Sequence, residues 1–329
     1  MANKDLEKLL IEYEQKRRRA QMQFEQKKEE VYKNIPEIKQ IEEKIQKKAL
    51  NKAKQILNNE TVDIENLEEE IQQLKQKKEK ILKEKNITLK INYECEICQD
   101  TGYVFEEKTK MCNCLKQKLL NISYNKSNLS NLQKENFSNF DESIFSSKVD
   151  IEKYKLNISP LENINNIRNA SMDFVKNFEK IECKNLLFSG NTGLGKTYMS
   201  NCIANEVLKM GKTVLYQTAP VLLETVIDNK FNKYKTADTN NFYNNVLEAD
   251  LLIIDDLGTE CLNSMKNSEL FTILNTRALN LNNKITKTII STNLSIEKIF
   301  GLYGERIGSR IAGYYDIYYF FGDDLRFKR

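Results

Sequence analysis

The sequence predicts an α/β fold, in which a parallel sheet is flanked by helices and is preceded by a helical arm and a small cysteine-containing module. From about residue 160 onward, short apolar runs alternate with helical patterns, which is typical of a parallel sheet with helical connections. A glycine-rich loop follows one apolar run of this series, and two adjacent carboxylates end a later one. Two close pairs of cysteines stand upstream, after a glycine-free N-terminal region.

The composition limits the classes of function. The chain has 329 residues, 30% of them charged, and a net charge of +4, which is too small to demand a nucleic-acid partner by itself. No apolar run approaches the ~18 residues of a membrane span, and the N-terminus lacks the apolar core of a secretory signal. We therefore expect a soluble, cytoplasmic protein with no membrane partner. Because the chain contains no histidine, acid–base catalysis by histidine is excluded.

Residues 1–92 are predicted to form a helical arm. Pro36 is expected to end a first helix near Asn34, because proline disrupts a helix interior. One interpretation of the arm is a solvent-exposed helical hairpin or short coiled coil, and a compatible functional interpretation is a partner-binding arm. We expect partner binding, because so long a polar segment has little core of its own. A later helical stripe follows a three–four spacing: Ile64, Leu67, Ile71, Leu74 and Ile81.

Residues 93–120 are predicted to form a zinc module. Cys95 and Cys98 are separated from Cys112 and Cys114 by a turn-forming Asp-Thr-Gly sequence. Clustered cysteines in a reducing compartment suggest a metal, and four thiolates supply the tetrahedron that Zn²⁺ prefers. The alternative is four cysteines that are buried independently of any metal.

The predicted sheet domain occupies residues 161–329 and follows a linker at residues 121–160, which is rich in Asn and Ser. An apolar run of β-branched and aromatic residues bounded by turn residues predicts a strand. Five strands are expected, at residues 185–189, 213–217, 251–256, 288–292 and 314–321.

The loop at residues 190–197 fits the phosphate-binding pattern G-x-x-x-x-G-K-[ST]. Its glycines allow backbone N–H groups to surround phosphate oxygens, Lys196 reaches the β- and γ-phosphates, and the Thr197 hydroxyl ligates Mg²⁺. A predicted strand enters the loop and a predicted helix at residues 198–209 leaves it, which argues against a simple glycine-rich turn. The cofactor-binding residues are Gly190, Asn191, Thr192, Gly193, Leu194, Gly195, Lys196 and Thr197.

Asp255 and Asp256 end a continuous apolar run, the pattern of a buried parallel strand. Ligands bind beyond the carboxyl ends of such strands, so Asp255 is the candidate for holding Mg²⁺. Asp256 is the better candidate for polarising the attacking water, with Glu260 as a competitor. The alternative is two solvated carboxylates at a strand end.

Three further polar residues are candidates for the same site. Asn293 follows a predicted strand, where its neutral amide can orient water and sense the γ-phosphate, or can simply end the strand. Arg306 and Arg310 lie four residues apart, on one face if the segment is helical. An arginine presented to a neighbouring chain's nucleotide stabilises transition-state charge. The alternative is a pair of surface arginines bound to local carboxylates.

Together these residues resemble the bacterial replicative-helicase loader family of AAA+ ATPases, of the DnaC/DnaI type. The matching segments are FSGNTGLGKTYMSNCIANEV, LLIIDDLGTE, IISTNLS and GERIGSRI, and CEICQDTGYV followed by CNC is similar to the zinc-containing N-terminal part of DnaI-type loaders. The resemblance is strong over residues 93–120 and 160–329 and weak over residues 1–90. It implies that Lys196 and Thr197 bind phosphate and Mg²⁺, that Asp255 and Asp256 form the Walker B pair, and that Asn293 is sensor I.

The resemblance also implies an arginine finger and a set of partners. Arg310 matches the finger best, with Arg306 beside it. The family binds ATP, so we expect a slow, partner-stimulated, Mg²⁺-dependent ATPase. It is expected to bind the replicative DNA helicase through its N-terminal region, to deliver that helicase to single-stranded DNA, and to associate with itself when ATP is bound.

Only eight residues follow Phe321, so no C-terminal lid is expected, in agreement with the loader family. The segment at residues 322–326 is similar to the family's tail, and the sequence assigns it no role. Two other functions remain open: a transposon-type AAA+ ATPase that delivers target DNA to a transposase, and an ATP-binding adaptor with little turnover. Transposon-type relatives generally lack the cysteine module, which favours the loader.

Overall fold

A computed structural model describes residues 2–57, 64–105, 107–122, 134–231, 237–279 and 284–327. The chain divides into two compact units, residues 8–110 and residues 111–329, the latter joined by residues 1–7. Residues 123–133 of the predicted linker lie outside the described residues. Among the helices of the described ranges, none combines the length and the apolar character that crossing a membrane requires.

The N-terminal region consists of three long helices, α1 (Ala2–Asn34), α2 (Pro36–Leu57) and α3 (Ile64–Glu84). The first ends at Asn34 as predicted, and Pro36 opens the second, where its missing N–H costs no hydrogen bond. Val31, Ile38 and Leu82 form a small buried core within residues 8–110. Ion pairs connect α2 and α3, among them Lys78 with Glu42 at 2.9 Å. The helical character expected from the apolar spacing is confirmed.

A short hairpin follows, with strands β1 (Tyr103–Phe105) and β2 (Thr109–Met111). The remaining described strands are β3 (Asn185–Gly190), β4 (Val214–Thr218), β5 (Leu251–Leu257), β6 (Lys287–Thr292) and β7 (Tyr315–Phe320). They form one five-stranded parallel sheet in the order β4-β5-β6-β3-β7. All five strands predicted from the sequence are confirmed, with end points that differ by one residue or not at all.

The helices of this unit flank the sheet on both faces. Alternate residues of a strand face opposite sides, so each strand serves two cores. Leu186 and Phe188 belong to a core with the helices Pro160–Lys176 and Lys196–Lys209, whereas Leu187 belongs to a second core with the helices that follow β4. The helices are α4 (Asn113–Leu120), α5 (Ile151–Tyr154), α6 (Pro160–Lys176), α7 (Lys196–Lys209), α8 (Ala219–Phe231), α9 (Ala237–Glu248), α10 (Ser264–Ala278) and α11 (Ile296–Tyr314).

Arg277 on α10 is 1% exposed and ties several elements together. Its guanidinium donates to the backbone carbonyls of Val246, Ala249 and Lys287 at 2.6 to 2.9 Å, and its Nε donates to the Thr288 hydroxyl at 3.0 Å. Burial lowers the pKa of Arg277 to about 10. These bonds satisfy carbonyls at the end of the sheet opposite the glycine-rich loop.

Candidate nucleotide-binding site

The glycine-rich loop connects the end of β3 to the start of α7. Gly190 has a φ of +145°, and a Cβ there would lie 2.1 Å from the carbonyl oxygen of Phe320 on the neighbouring strand β7. Glycine is therefore required at this position for two reasons, the backbone conformation and the close approach of β7. Gly195 caps the N-terminus of α7 with a φ of +91°, so the loop runs directly into the helix. This is the strand–loop–helix arrangement that a phosphate-binding loop needs.

Lys196, the first residue of α7, is folded back over the loop and is only 7% exposed. Its ammonium donates to the carbonyl oxygens of Gly190 and Asn191, both at 2.7 Å. Burial lowers the pKa of Lys196, and the negative charges of Asp256 and Asp255 oppose that shift. The side chain is thus a partly desolvated cation held within the loop, beside two carboxylates.

Asp255 is buried at the end of β5, where three hydroxyl groups donate hydrogen bonds to its carboxylate. Thr197 donates to Oδ2 over 3.1 Å. Tyr216 on β4 donates to the same oxygen, and Ser291 on β6 donates to Oδ1. The hydroxyl of Thr197 and the carboxylate of Asp255 are oxygen ligands of the kind that Mg²⁺ prefers, so these two residues fit the ion predicted here.

Asp256 follows directly but has a different environment. The pairing of β5 with β6 shifts register between Ile254 and Leu257, and Asp256 has a φ of +55°. Its backbone N–H donates to the Ser291 hydroxyl at 3.2 Å, and its side chain is exposed. Partial burial and the charge of Asp255 raise the pKa of Asp256, while Lys196 lowers it. The register shift therefore leaves the carboxylate of Asp255 buried and hydrogen-bonded, whereas the carboxylate of Asp256 is accessible.

Glu260, the competitor for the role of Asp256, is buried and has both carboxylate oxygens engaged. Oε2 accepts a 2.9 Å hydrogen bond from the backbone N–H of Gly258, and Oε1 accepts one from the Tyr303 hydroxyl. These hydrogen bonds hold the turn after β5 against α11, so the carboxylate of Glu260 has a structural role.

Asn293 is exposed at the first position after β6. In the parallel register Thr292 lies opposite Ser189 of β3, so Asn293 stands at the edge of the sheet from which the glycine-rich loop emerges. The structure thus brings Asn293 to the same end of the sheet as the loop and the two aspartates.

Arg306 and Arg310 lie on the part of α11 that follows a break at Gly304, whose φ is 80° and ψ is 170°. Arg306 is exposed, and the guanidinium of Arg310 lies 6.0 Å from the ring centroid of Phe271 and 5.7 Å from that of Tyr314. Within the described ranges, neither arginine forms an ion pair or a hydrogen bond with the glycine-rich loop. The described hydrogen bonds and ion pairs of one chain therefore do not connect either arginine to the candidate nucleotide site.

The four cysteines of the predicted zinc module are close together. Their sulfur atoms all lie within 4.8 Å of one another, and Cys98 and Cys112 are buried. Zn–S bonds of about 2.3 Å in a tetrahedron place the sulfurs roughly 3.8 Å apart, so these residues fit Zn²⁺. Soft thiolates are also the ligands that favour this ion over Mg²⁺ or Ca²⁺.

Asp100 organises the first half of this cluster. It is 3% exposed, and its carboxylate accepts hydrogen bonds from the backbone N–H groups of Glu94 at 3.0 Å and Cys95 at 2.9 Å. Thr101 donates its hydroxyl hydrogen to the carbonyl of Cys98 at 2.6 Å. The sequence Asp-Thr-Gly therefore does more than form a turn, because it fixes the backbone that carries Cys95 and Cys98.

Helix α4, which begins at Asn113, is joined to the open edge of the sheet. The amide of Gln117 accepts from the backbone N–H of Val214 at 2.7 Å and donates to the carbonyl of Val214 at 3.0 Å. Asn113 donates to the carbonyl of Gly211 at 3.1 Å. The side chain of Gln117 thus pairs with β4, an edge strand of the sheet, as a neighbouring strand would.

Several of these functional contacts are not predictable from local sequence. Tyr216 and Ser291 reach Asp255 because β4 and β6 lie on either side of β5, which is a property of strand order. The one local signal for Ser291 is its place two residues before Asn293, at the end of a predicted strand. For Asp100, the signal is an aspartate in a turn between two cysteines, where its carboxylate can accept from nearby N–H groups.

Comparison with known proteins identifies a family of ATP-binding proteins. The sequence profile of the IstB-like ATP binding protein family matches residues 116–307. The protein named Replicative helicase loader DnaC from Buchnera aphidicola subsp. Baizongia pistaciae is 28% identical over 142 residues, which are 43% of this chain and 55% of that protein. The Chromosomal replication initiator protein DnaA from Buchnera aphidicola subsp. Cinara cedri is 32% identical over 143 residues, which are 43% of this chain and 30% of that protein.

Among solved structures, the crystal structure of the DnaC helicase loader is similar with a TM-score of 0.42 and 22% identity, over 52% of this chain and 96% of that one. The chain spans about half the length of the DnaC relative that it matches. The profile match includes the glycine-rich loop, both aspartates and Asn293, the residues that the sheet brings to one end.

Proposed function

The chain belongs to the family of IstB-like ATP-binding proteins, and from that premise we propose that it is an ATP-dependent loader of the replicative DNA helicase. The observation that supports the ATP-dependent part is the convergence of Lys196 and Thr197, at the start of α7, with Asp255, near the carboxyl end of β5. A cation for phosphate and two oxygen ligands for a metal ion meet there, although Asp255 is 58 positions from Thr197 in the sequence.

In this proposal residues 190–197 hold the phosphates of ATP through backbone N–H groups and the ammonium of Lys196. Thr197 and Asp255 would hold Mg²⁺, which neutralises charge on the phosphates. When a nucleotide binds, its phosphate oxygens would replace the two carbonyl oxygens that now accept hydrogen bonds from Lys196. Tyr216 and Ser291 keep the Asp255 carboxylate in one orientation by donating to its two oxygens.

Asp256 is proposed to polarise the attacking water, and Asn293 to orient it with a neutral amide. The exposure of Asp256 supports this assignment over Glu260, whose oxygens are both engaged. We propose that a single chain hydrolyses ATP slowly and that a partner accelerates the reaction. Within the described ranges, Arg306 and Arg310 form no hydrogen bond or ion pair with the loop of their own chain, which supports that view, because an arginine supplied by a neighbouring copy would complete the site.

The loading role rests on the named relative, the Replicative helicase loader DnaC, and on the region before the sheet. We propose that the arm at residues 1–92 and the Cys95, Cys98, Cys112 and Cys114 module at residues 93–120 bind the replicative helicase. Residues 121–160 would connect them to the ATPase domain at residues 161–329. That domain is proposed to contact single-stranded DNA and further copies of the chain when ATP is bound.

A transposon-type ATPase that delivers target DNA to a transposase is the second candidate, because the profile described as IstB-like does not separate it from a loader. The four-cysteine cluster favours the loader, as the resemblance of CEICQDTGYV and CNC to DnaI-type proteins indicates. The third candidate function is that of an ATP-binding adaptor that hydrolyses little ATP. The rate of ATP hydrolysis, measured with and without helicase and DNA, distinguishes it from the other two candidates.

The deciding experiment is affinity purification of the full-length tagged chain from its own cells, with ATP present, followed by mass spectrometry. The loader predicts the replicative helicase as a stoichiometric partner. Binding of the purified helicase should persist in Lys196→Ala and be lost in a Cys112→Ser, Cys114→Ser double variant. Recovery of a transposase instead of the helicase would replace the loader by the second candidate.

A further inference from the structure

The segment that follows β7, residues 322–327, lies along the glycine-rich loop. The backbone N–H of Leu325 donates to the carbonyl oxygen of Gly193 at 2.9 Å. A Cβ on Gly195 would lie 3.8 Å from Leu325 Cδ1, and a Cβ on Gly322 would lie 3.8 Å from Leu194 Cδ2. The segment therefore contacts the loop at several points, and we name it the flanking segment.

Within the flanking segment, the carboxylate of Asp324 rests on Gly193. A Cβ at Gly193 would lie 2.0 Å from Asp324 Oδ1, and Gly193 has a φ of +78°. The glycine is required both by its backbone conformation and by the carboxylate. An acidic group thus stands against the loop that the proposed function assigns to phosphates, where a negative charge opposes binding.

Arg326 neutralises this carboxylate. Its Nε lies 3.0 Å from Oδ1, its Nη2 lies 2.5 Å from Oδ2, and its backbone N–H donates to Oδ1 at 3.0 Å. These contacts with Arg326 lower the pKa of Asp324 to about 2, so the carboxylate is ionised at neutral pH. Asp323, the residue before it, has different partners, Lys153 at 2.7 Å and the Tyr154 hydroxyl at 3.3 Å.

The hydrogen bond from Leu325 also orients the loop. In a trans peptide the carbonyl and the next N–H point in opposite directions. Because Leu325 holds the carbonyl of Gly193 on the side of the flanking segment, the N–H of Leu194 is directed to the other side. A phosphate-binding loop uses its N–H groups there.

We propose that the flanking segment is part of the nucleotide site, in which Leu325 orients the Gly193–Leu194 peptide and the Asp324–Arg326 pair sets the charge beside the phosphates. The ligand class is a nucleoside polyphosphate. The inference rests on the proposed function, since it assumes that residues 190–197 bind phosphate.

The test is titration of ADP into the full-length protein by calorimetry, at 50 mM and 500 mM NaCl. Asp324→Asn leaves the Arg326 charge beside the loop and should lower the Kd by about three- to tenfold. Arg326→Gln leaves the bare carboxylate and should raise the Kd by a similar factor. The double variant should return near the parent, and all differences should shrink at high salt.

The matched control is Asp316→Asn, which makes the same change on β7, where Asp316 lies 4.0 Å from Lys184. Asp316 is in register with Leu186, and Phe320 is in register with Gly190, so Asp316 lies about 13 Å along the strand from the loop. This variant should bind ADP as the parent does. A further variant, Leu325→Pro, removes the N–H at the first position of a short 3-10 turn, where proline is tolerated, and should weaken ADP binding at both salt concentrations.

The outcomes separate this inference from the proposed function. If the parent binds ADP and Lys196→Ala does not, while Asp324→Asn and Arg326→Gln both match the parent, the inference is wrong and the proposed site stands. The inference is also wrong if Asp324→Asn and Arg326→Gln change the Kd for ADP in the same direction, or if Asp316→Asn changes that Kd by as much as they do. If the folded parent binds no nucleotide, the proposed function fails, and the inference fails with it.

Discussion

The hydroxyl of Thr197 at the start of α7 donates a 3.1 Å hydrogen bond to the carboxylate of Asp255 at the end of β5. The two residues are 58 positions apart in the sequence, and the sequence predicts both as magnesium ligands. Their contact supports one common site, because a hydroxyl and a carboxylate at hydrogen-bond distance can bind the same ion after a small rotation of the hydroxyl.

Removing the ammonium of Lys196 is expected to disrupt nucleotide binding. Lys196→Ala should weaken ATP binding by at least about tenfold, because a charge-assisted contact to phosphate is lost from a partly buried position. Fluorescence titration with an ATP analogue measures this. Lys184→Ala, which removes a half-exposed lysine before β3, is the control and should bind like the parent. Equal affinity in parent and Lys196→Ala would disprove the assignment of the loop.

Asp256→Asn is expected to separate binding from turnover. The variant keeps the size of the side chain and loses the carboxylate that is proposed to polarise water. It should therefore bind ATP like the parent, while its rate of hydrolysis should fall by at least about 100-fold. Phosphate release measures the rate. Glu260→Gln should bind ATP equally well and lose much less activity if its role is structural. A larger rate loss in Glu260→Gln than in Asp256→Asn would reverse the two roles.

Removing a hydroxyl group that donates to Asp255 should weaken the binding of Mg²⁺ more than the binding of ATP without the ion. Tyr216→Phe and Ser291→Ala each remove one donor, at a cost of about 1 kcal/mol, and should raise the Mg²⁺ concentration needed for half-maximal ATP binding by about fivefold. Binding measured without Mg²⁺ should stay the same. Tyr319→Phe, an exposed tyrosine on β7, is the control. A uniform loss of binding with and without Mg²⁺ would indicate a structural effect instead.

The cysteine cluster should contain one Zn²⁺ per chain. Cys112→Ser combined with Cys114→Ser should abolish it and lower the melting temperature, because binding of the metal contributes free energy of folding. Inductively coupled plasma mass spectrometry on freshly purified, reduced protein measures the metal. Cys261→Ser, which changes an exposed cysteine outside the cluster, should retain it. Absence of zinc from the parent would contradict the assignment.

Arg310 is expected to act on the nucleotide of a neighbouring copy. Arg310→Ala should bind ATP normally and lose the stimulated part of hydrolysis. Mixing it with Lys196→Ala should restore part of the activity, because the Lys196→Ala chain supplies an intact arginine to the site of the other chain. Arg306→Ala tests the second candidate in the same assay. If mixing restores no activity for either arginine, action between chains is excluded.

Much of the architecture follows from the sequence alone. Apolar runs such as Leu251–Ile254 specify buried strands, since only a strand covered on both faces is apolar at every position. The glycines and Lys196 identify the loop because few residue types permit a loop whose N–H groups all face an anion. Pro36 marks the end of α1, because proline cannot occupy a helix interior. In each case, the physical constraint acts between residues that are near in the chain.

The tertiary structure alone decides which distant side chains complete the site. The strand order β4-β5-β6 brings Tyr216 and Ser291 to Asp255, and the register shift after Ile254 gives Asp255 and Asp256 different environments. The pairing of β7 with β3 carries Asp324 and Leu325 to Gly193, 131 and 132 positions away in the sequence. These contacts depend on which strands become neighbours, and strand order is set by the packing of the whole sheet rather than by any local pattern.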